Sequence, residues 1–311
     1  MPVDIPPGGR EQPGTDDRRG TPRLREIGPG GIGGYELVPK TSIKSVTPEI
    51  NLTPLIPQKF KQVFKSPKSN PIRELIQTIY VSIDDTDIKA GPRGTGRLAR
   101  SIADTLAEDY PVFGVTRHQL YVHPDIPYTS HNSNAVIHVE AEGDDAMDHI
   151  FEVSEGVMLG DFFEGSDPGL AVASSGQIAP PLIIFGQDAK CIVLTQERAR
   201  TLAKNLKIRL KGLGGTQDGV IGAMAGLGLA LTRNDGRFLQ LGSIRDIRGL
   251  CPIDKLLLAG VDAAWTLDGR RVSEGTVVAR PDKPARPCPI DGRNILFVEE
   301  RDGTLTEVRR D

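Results

Sequence analysis

One stretch constrains the fold of this 311-residue chain more than any other. The run Leu75-Ile76-Gln77-Thr78-Ile79-Tyr80-Val81-Ser82-Ile83 is apolar and β-branched, and it breaks off abruptly into Asp84, Asp85 and Asp87. Such a run suits a buried strand, because branched and aromatic side chains pack well on a pleated surface. Gly91 to Gly96 then makes a flexible loop, and Leu98, Ile102, Ala103, Leu106 and Ala107 follow at helical spacing. The unit is strand, acidic and glycine-rich loop, helix.

Further along, Val112 to Val122 and Ala135 to Ala141 are strand candidates joined by a polar loop from Pro124 to Asn134. Asp144 to Val157 reads as a helix, Gly169 to Ala173 as a short strand and Ile178 to Phe185 as an apolar element of either kind. Ala189 to Leu194 reads as another strand and Gln196 to Leu210 as a helix. A second glycine loop, Gly212 to Gly219, opens onto a helix of small residues, Val220 to Leu231. This alternation predicts an α/β or α+β domain over residues 75–232, a mixed sheet with helices. Beyond Thr232, short strands at Arg237 to Leu241, Ala263 to Leu267 and Ile295 to Glu299 predict a small β-rich region over 233–311. Within it Cys251-Pro252-Ile253-Asp254 recurs as Cys288-Pro289-Ile290-Asp291, too short a match to establish a repeat. Residues 1–34, rich in proline and glycine and poor in apolar periodicity, cannot offset their own ordering entropy and are predicted to be a disordered extension. Residues 35–74, punctuated by prolines, read as a linker.

Composition narrows the function classes. With 38% hydrophobic and 25% charged residues the chain is an ordinary soluble protein by composition. Its net charge of -3 carries no global electrostatic footprint of a nucleic-acid binder. Lys59, Lys61, Lys65 and Lys68, interleaved with Phe60 and Phe64, form either a local basic patch or a solvated linker. Cys191, Cys251 and Cys288 are odd in number and lack any C-x-x-C pair, so neither a disulfide framework nor a zinc ribbon is expected. No run approaches a membrane span and no export signal opens the chain, so a cytoplasmic location without a membrane partner is expected. The oligomeric state is left open.

Asp84, Asp85 and Asp87 repel one another unless a cation or a hydrogen-bond network holds them. Magnesium takes such oxygen ligands, usually one or two carboxylates together with substrate phosphates; an acidic turn capping loop amides is the other reading. Gly94-Thr95-Gly96 opens a helix, where free amides and the helix dipole favour a phosphate, and Arg93 and Arg97 flank it. Carboxylates and a phosphate-accepting loop on one connection are what phosphoryl transfer needs, since its catalysis is mostly positioning and charge neutralisation. Gly214, Gly215, Asp218 and Gly219 in the second glycine loop make the opposite wall of a nucleotide cleft or a close-packed helix connection; the order is not that of a Walker A loop, since Lys211 precedes the glycines. Alternation around His118 and His123 puts them on opposite strand faces, which argues against a zinc cluster with His131. No nucleophile elbow is present.

Ile83-Asp84-Asp85-Thr86-Asp87 and the loop after it resemble the start of the archaeal tRNA-isoleucine 2-agmatinylcytidine synthetase family. Pro124-Asp125-Ile126-Pro127-Tyr128 with Asn132-Ser133-Asn134-Ala135-Val136 is similar to that family's Asn-Pro-x-Ile-Pro-Tyr-Lys-Thr-Arg-Gly-Asn-Gly-Ala-Val. Asp167-Pro168-Gly169-Leu170-Ala171-Val172 resembles its Asp-Pro-Gly-Val-Ala-Val, and Gly219 to Gly228 its Gly-Leu-Ile-Gly-Ala-Leu-Ala-Ala-Ile-Gly. The resemblance implies a kinase-like domain that binds ATP and Mg2+, phosphorylates the carbonyl oxygen of a tRNA cytidine and lets agmatine displace the phosphate. It also implies a phosphorylated loop threonine, which falls on Thr95. Departures are Gly94 for a cysteine, Gly96 for a second threonine and Thr129-Ser130-His131 for Lys-Thr-Arg. The region after residue 232 has no match to the family's ferredoxin-like, OB-fold and zinc-ribbon domains, so a shortened form is expected.

The chain is thus expected to be an ATP- and Mg2+-dependent phosphotransferase or ligase-like enzyme. Asp84, Asp85 and Asp87 would hold metal and serve catalysis with Thr95, while Gly94, Gly96, Arg97, Gly214, Gly215, Asp218 and Gly219 would bind nucleotide. RNA or a small amine is the candidate further partner. A nucleotide-binding regulatory module that lost turnover, or a tRNA-modification subunit with a separate RNA-binding partner, is the alternative.

Overall fold

The apolar run does form a strand, β1 (Gln77–Asp84), and its last six residues are all buried. Burial on both faces explains why the run is nearly continuous in apolar character rather than alternating with polar residues. The structure, a computed structural model, describes residues 76–308 apart from 90, 130, 162, 281 and 282. The expected extension over 1–34, the linker over 35–74 and the lysines from Lys59 to Lys68 lie outside the described residues.

β1 is an interior strand of a six-stranded sheet completed by β2 (Val112–Gln119), β3 (Ser133–Ala141), β4 (Gly169–Ser174), β5 (Arg209–Gly212) and β6 (Arg237–Leu241). Their order is β5-β4-β1-β3-β2-β6. Every pairing in it is antiparallel. One face buries Ile79, Val81 and Ile83 against α1 (Thr95–Leu106) and α2 (Gly143–Gly160). The other buries Tyr80, Val136, Ala171 and Ala173 against α3 (Pro180–Asp188), α4 (Gln196–Leu206) and α5 (Gly219–Thr232). The two-residue alternation of the strand assigns each side chain its layer. Of the two expected classes, the antiparallel sheet between helices is α+β in character.

Mixed pairing belongs to a second sheet, ordered β7-β10-β13-β12-β8-β9. It comprises β7 (Leu250–Pro252), β8 (Ala263–Thr266), β9 (Arg271–Val272), β10 (Thr276–Val278), β12 (Arg293–Arg301) and β13 (Thr304–Glu307), with β11 (Cys288–Ile290) beside β12 and one short helix, α6 (Ile253–Leu258). β6 lies beyond the expected boundary at residue 232, yet it closes the edge of the first sheet against β2. Its Phe238 and Leu241 pack with Ile244, Leu256 and Leu296 in the core of the second sheet. One strand therefore serves both layers.

Three local expectations differ from what is found. Ala189 to Leu194 is a turn: the amides of Lys190, Cys191 and Ile192 turn back onto the carbonyls of Gln187 and Asp188 at 2.9–3.1 Å, and no strand neighbours the segment. The helix expected through Leu210 ends at Leu206, because Lys207 adopts a left-handed backbone (φ 55) and β5 follows. β2 stops at Gln119, so His123 sits in the following loop and the two-face reading of His118 and His123 does not hold. The two Cys-Pro-Ile-Asp tetrads diverge: Cys251 leads into α6, whereas Cys288 opens a hairpin whose Asp291 has φ 47.

Candidate active site

Strand alternation turns Ser82 and Asp84 toward α5, and the sequence of that helix answers them with glycine. A Cβ on Gly222 would run into the Asp84 carboxyl, and one on Gly226 into Ser82 Oγ and, at 3.0 Å, Asn134 Nδ2. The close approach lets Asn134 Nδ2 donate to the Gly222 carbonyl at 2.8 Å. The small-residue pattern of α5 thus lowers the helix directly onto the acidic end of β1.

Asp84 is 8% exposed. Burial, then the charge of Asp85, push its carboxyl up to about 8, with the Asp85 amide opposing and Asp87 adding. Asp85 follows with φ 50, a left-handed conformation that aspartate tolerates better than most residues. Burial and the charges of Asp167, Asp87 and Asp218 raise its carboxyl to about 6. Asp87 Oδ1 accepts from Thr129 Oγ1 at 3.0 Å, and its Oδ2 stands 3.2 Å from where a Cβ on Gly94 would lie.

These aspartates form one wall of a cavity of about 460 Å³. Gly94, Thr95, Gly96 and Arg97 at the start of α1 line it, as do Asp218 and Gly219 at the start of α5. The two glycine loops therefore meet, bringing two helix N-termini to one space. Gly94 is the residue preceding α1, and no side chain caps that helix. Thr95 is its first residue, 8% exposed, with Oγ1 accepting from Thr86 Oγ1 at 3.2 Å. Arg93 does not line the cavity; it braces the loop from behind, donating from Nη1 to the Thr86 carbonyl at 2.8 Å and pairing from Nε with Asp161 at 2.5 Å.

Gly214 and Gly215 do not line the cavity. Gly215, at φ 53, lies against Asp167, whose Oδ1 accepts from the Thr216 amide. Asp218 is held in place by Gln196 Nε2 at 2.7 Å and Thr216 Oγ1 at 3.0 Å. The second glycine loop thus shapes the carboxylate wall, and only its last two residues reach the space.

Sequence reasoning missed several lining residues. Tyr128 and Thr129 come from the loop between β2 and β3 and Asn134 from the start of β3, a stretch whose density of polar groups was the available signal. Ile192, Val193 and Leu194 form an apolar wall, which accounts for the apolar run that reads as a strand. Their turn is tied to the first sheet by the Tyr121 amide on the Ala189 carbonyl at 2.9 Å and by Lys190 Nζ on Asp235 Oδ2 at 2.6 Å. Asp235 also binds His118 Nδ1 at 2.9 Å, and Thr116 Oγ1 lies 2.9 Å from Nε2 of both His118 and His138. Burial, then the charges of His118 and Arg233, drop the His138 imidazole to about 3. No spacing rule connects these residues, which come from strands and turns far apart in the chain.

Among the described residues no three His, Cys, Asp or Glu side chains gather into a ready-made metal-ligand set. Asp84, Asp85 and Asp87 share a wall without closing a cage. The donor set is nonetheless all oxygen, and Asp85 lies within reach of the charges of Asp167, Asp87 and Asp218. That chemistry fits a hard divalent ion taking one or two carboxylates and completing its shell from phosphate and water. No helix among the described residues is long and apolar enough to cross a membrane.

No family model matches the sequence, and no curated protein does. Solved structures with partial likeness include a tRNA fluorescent labeling enzyme, at 24% identity and TM-score 0.42, covering 49% of this chain and 36% of that one. A complex of TiaS, a tRNA agmatidine synthetase, with its tRNA and ATP gives 23% identity, TM-score 0.43 and the same coverage. A complex of TiaS with its tRNA, AMPCPP and agmatine gives 25%, 0.41 and the same coverage. The chain spans about a third of the length of these proteins. With TM-scores below 0.5 the likeness is partial, and the function is read from the cavity's own residues.

Proposed function

We propose that the chain is an ATP- and magnesium-dependent phosphotransferase or ligase-like enzyme, in the setting of tRNA modification that its sequence resemblance implies. One observation carries the reading: an acidic strand end and two helix N-termini converge on one cavity with guanidinium groups at its wall. Magnesium, when bound, supplies the positive charge that lets carboxylates and phosphate oxygens share a site. Asp85 and Asp87 are its ligands in this reading, with Asp84 behind them against Gly222. The free amides at Gly94 and Gly96, together with Arg97, hold phosphate oxygens, and Asp218 and Gly219 form the facing wall. Thr95 receives or positions the terminal phosphate. The apolar turn at Ile192, Val193 and Leu194 offers a dry surface to a base. Ligand pockets of this size and mixed lining are common.

A second reading, a nucleotide-binding regulatory module, is favoured by Thr129. It stands where the resemblance has lysine, and its hydroxyl is committed to Asp87 at 3.0 Å, so no cation faces the aspartates from that loop position.

Calorimetry of an ATP analogue with and without magnesium tests the first reading. Affinity should rise with magnesium, and Asp85→Asn and Asp87→Asn should remove most of that rise. Equal affinity with and without magnesium in the wild type and both variants would sink it. Binding without ATP turnover across RNA and amine acceptors would favour the regulatory module.

A further inference from the structure

Asp87 stands past the end of β1, on the loop that leads to α1, so the strand ladder that fixes Asp84 does not fix its side chain. Its two carboxylate oxygens meet different elements. Oδ1 accepts from Thr129 Oγ1 at 3.0 Å, a contact made by the loop between β2 and β3. Oδ2 lies 3.2 Å from where a Cβ on Gly94 would sit, which turns it toward the residue that opens α1. One oxygen is therefore pinned from the cavity wall while the other borders the phosphate loop.

Thr129 reaches this position because the loop that carries it is tied at its neck. The Asn132 carbonyl accepts from the Leu120 amide at 2.8 Å and from Gln119 Nε2 at 2.7 Å. Asn132 Nδ2 donates to the Tyr121 carbonyl at 2.6 Å, and the Tyr121 amide in turn is bonded to the Ala189 carbonyl. Beyond that neck Ile126, Tyr128 and Thr129 line the cavity. A β-branched side chain has few χ1 wells, so the direction of the Thr129 hydroxyl is restricted as well.

How many oxygens a carboxylate gives to a cation depends on which of them are already engaged. Calcium takes 6–8 oxygen ligands, with carboxylates gripping through one oxygen or both, whereas magnesium demands a near-octahedral shell with one or two carboxylates. A grip through both oxygens needs Oδ1 and Oδ2 turned toward one point. The hydroxyl on Oδ1 opposes that and leaves Oδ2 as the free donor beside the phosphate loop.

We propose that Thr129 is a positioning residue that makes Asp87 a one-oxygen ligand through Oδ2 and so favours magnesium over calcium. This rests on the reading of Asp87 as a metal ligand in a nucleotide site, and it adds the selectivity of that site and the residue that sets it. Groups that orient a metal ligand from behind are worth about ten- to hundredfold in metal affinity.

The test is calorimetry of a non-hydrolysable ATP analogue on the full chain, over a series of magnesium concentrations and, in a separate arm, of calcium. The wild type should need less magnesium than calcium for half-maximal gain in analogue affinity. Thr129→Val keeps the branched shape and removes the hydroxyl. It should raise the magnesium requirement about tenfold and the calcium requirement by less than about threefold, so the preference narrows. Thr129→Ser should restore most of the preference, and the metal-free affinity of the analogue should stay within about twofold in all three proteins, which a folding defect would not allow. An unchanged magnesium requirement in Thr129→Val, equal weakening by both cations, or a gain in magnesium affinity would overturn the proposal. So would a wild type that prefers calcium, or a Thr129→Ser that behaves like Thr129→Val. If the wild type binds no analogue, or binds it equally with and without either cation, the reading of the cavity as a metal–nucleotide site fails and the proposal falls with it. The wild type alone therefore distinguishes the two failures.

Discussion

Replacing Asp84 by Asn isolates the electrostatic tension at the end of β1. Burial pushes this carboxyl from 3.8 up to about 8, so the folded chain keeps a proton that the unfolded chain releases near pH 4. A folded-state value above the unfolded one gives stability that is complete below about pH 4 and is lost as the pH rises through 8. At about 1.4 kcal/mol per pH unit, the interval amounts to roughly 6 kcal/mol, of which about 4 kcal/mol is gone by pH 7. Asn has the same shape and no charge to desolvate beneath Gly222. Relaxation and water entry lower the ideal figure, so Asp84→Asn should stabilise the ligand-free chain at pH 7.5 by about 2–4 kcal/mol. With about 2–4 °C per kcal/mol for a folded unit of this size, Tm should rise by roughly 4–16 °C. Circular-dichroism melts at pH 5, 7.5 and 9 should show the wild type losing more stability with pH than the variant, which keeps only the smaller dependence of Asp85. Magnesium with an ATP analogue should then stabilise the wild type more than the variant. Parallel pH curves, or a variant less stable than the wild type at pH 7.5, would refute the assignment of a proton to this carboxyl.

Three further outcomes follow from the geometry. Gly222→Ala puts a methyl into the Asp84 carboxyl, and chemical denaturation should show a loss of about 2–4 kcal/mol that Asp84→Gly partly restores; additive losses would deny the contact. Thr95→Ala should cost less than about 1 kcal/mol, since Gly94 rather than Thr95 occupies the capping position, yet it should abolish phosphate incorporation on incubation with ATP and magnesium, read by intact mass. Persistent incorporation in that variant would move the modified position elsewhere. Asp235 lies below the ordinary carboxylate range because, although burial raises it, His118 and Lys190 together outweigh burial. Its contribution is therefore lost as the pH falls through that depressed value, and Asp235→Asn should destabilise by about 2–3 kcal/mol and speed hydrogen exchange in residues 189–194. Unchanged exchange there would mean that the Lys190 pair does not hold the cavity wall.

The central strand, both glycine loops and their helices were legible because each has a local cause. β1 has branched side chains and a sudden acidic stop, and α5 has glycines where another element must approach. The turn at 189–194 was misread because an apolar run fits a strand and a cavity wall equally well, and only the capping of α3 and α4 decides between them. Gly214 and Gly215 illustrate the same gap: glycine loops before helices suggest phosphate, yet here they make room for Asp167. Asp235 had no local signal at all. It acquires its surroundings from His118 and Lys190, brought to it by the fold, which no window along the chain contains.

The cavity's two anomalies are of opposite sign and sit on the same loop and helix. Carboxyls at Asp84 and Asp85 are driven upward by burial first and by neighbouring aspartates second. The Arg100 guanidinium, on the helix that follows, is driven downward by burial and by neighbouring positive charge. A structural network would relieve both by turning these groups toward each other, since carboxylate and guanidinium pair readily. Instead Arg100 and Arg245 are turned onto backbone carbonyls and Asp84 is shut beneath a helix glycine, so the fold holds the two charges apart. Keeping opposite charges separated across a concave space is costly for stability. It is useful when a ligand brings both a cation and several anionic oxygens, as a magnesium-bound nucleotide does.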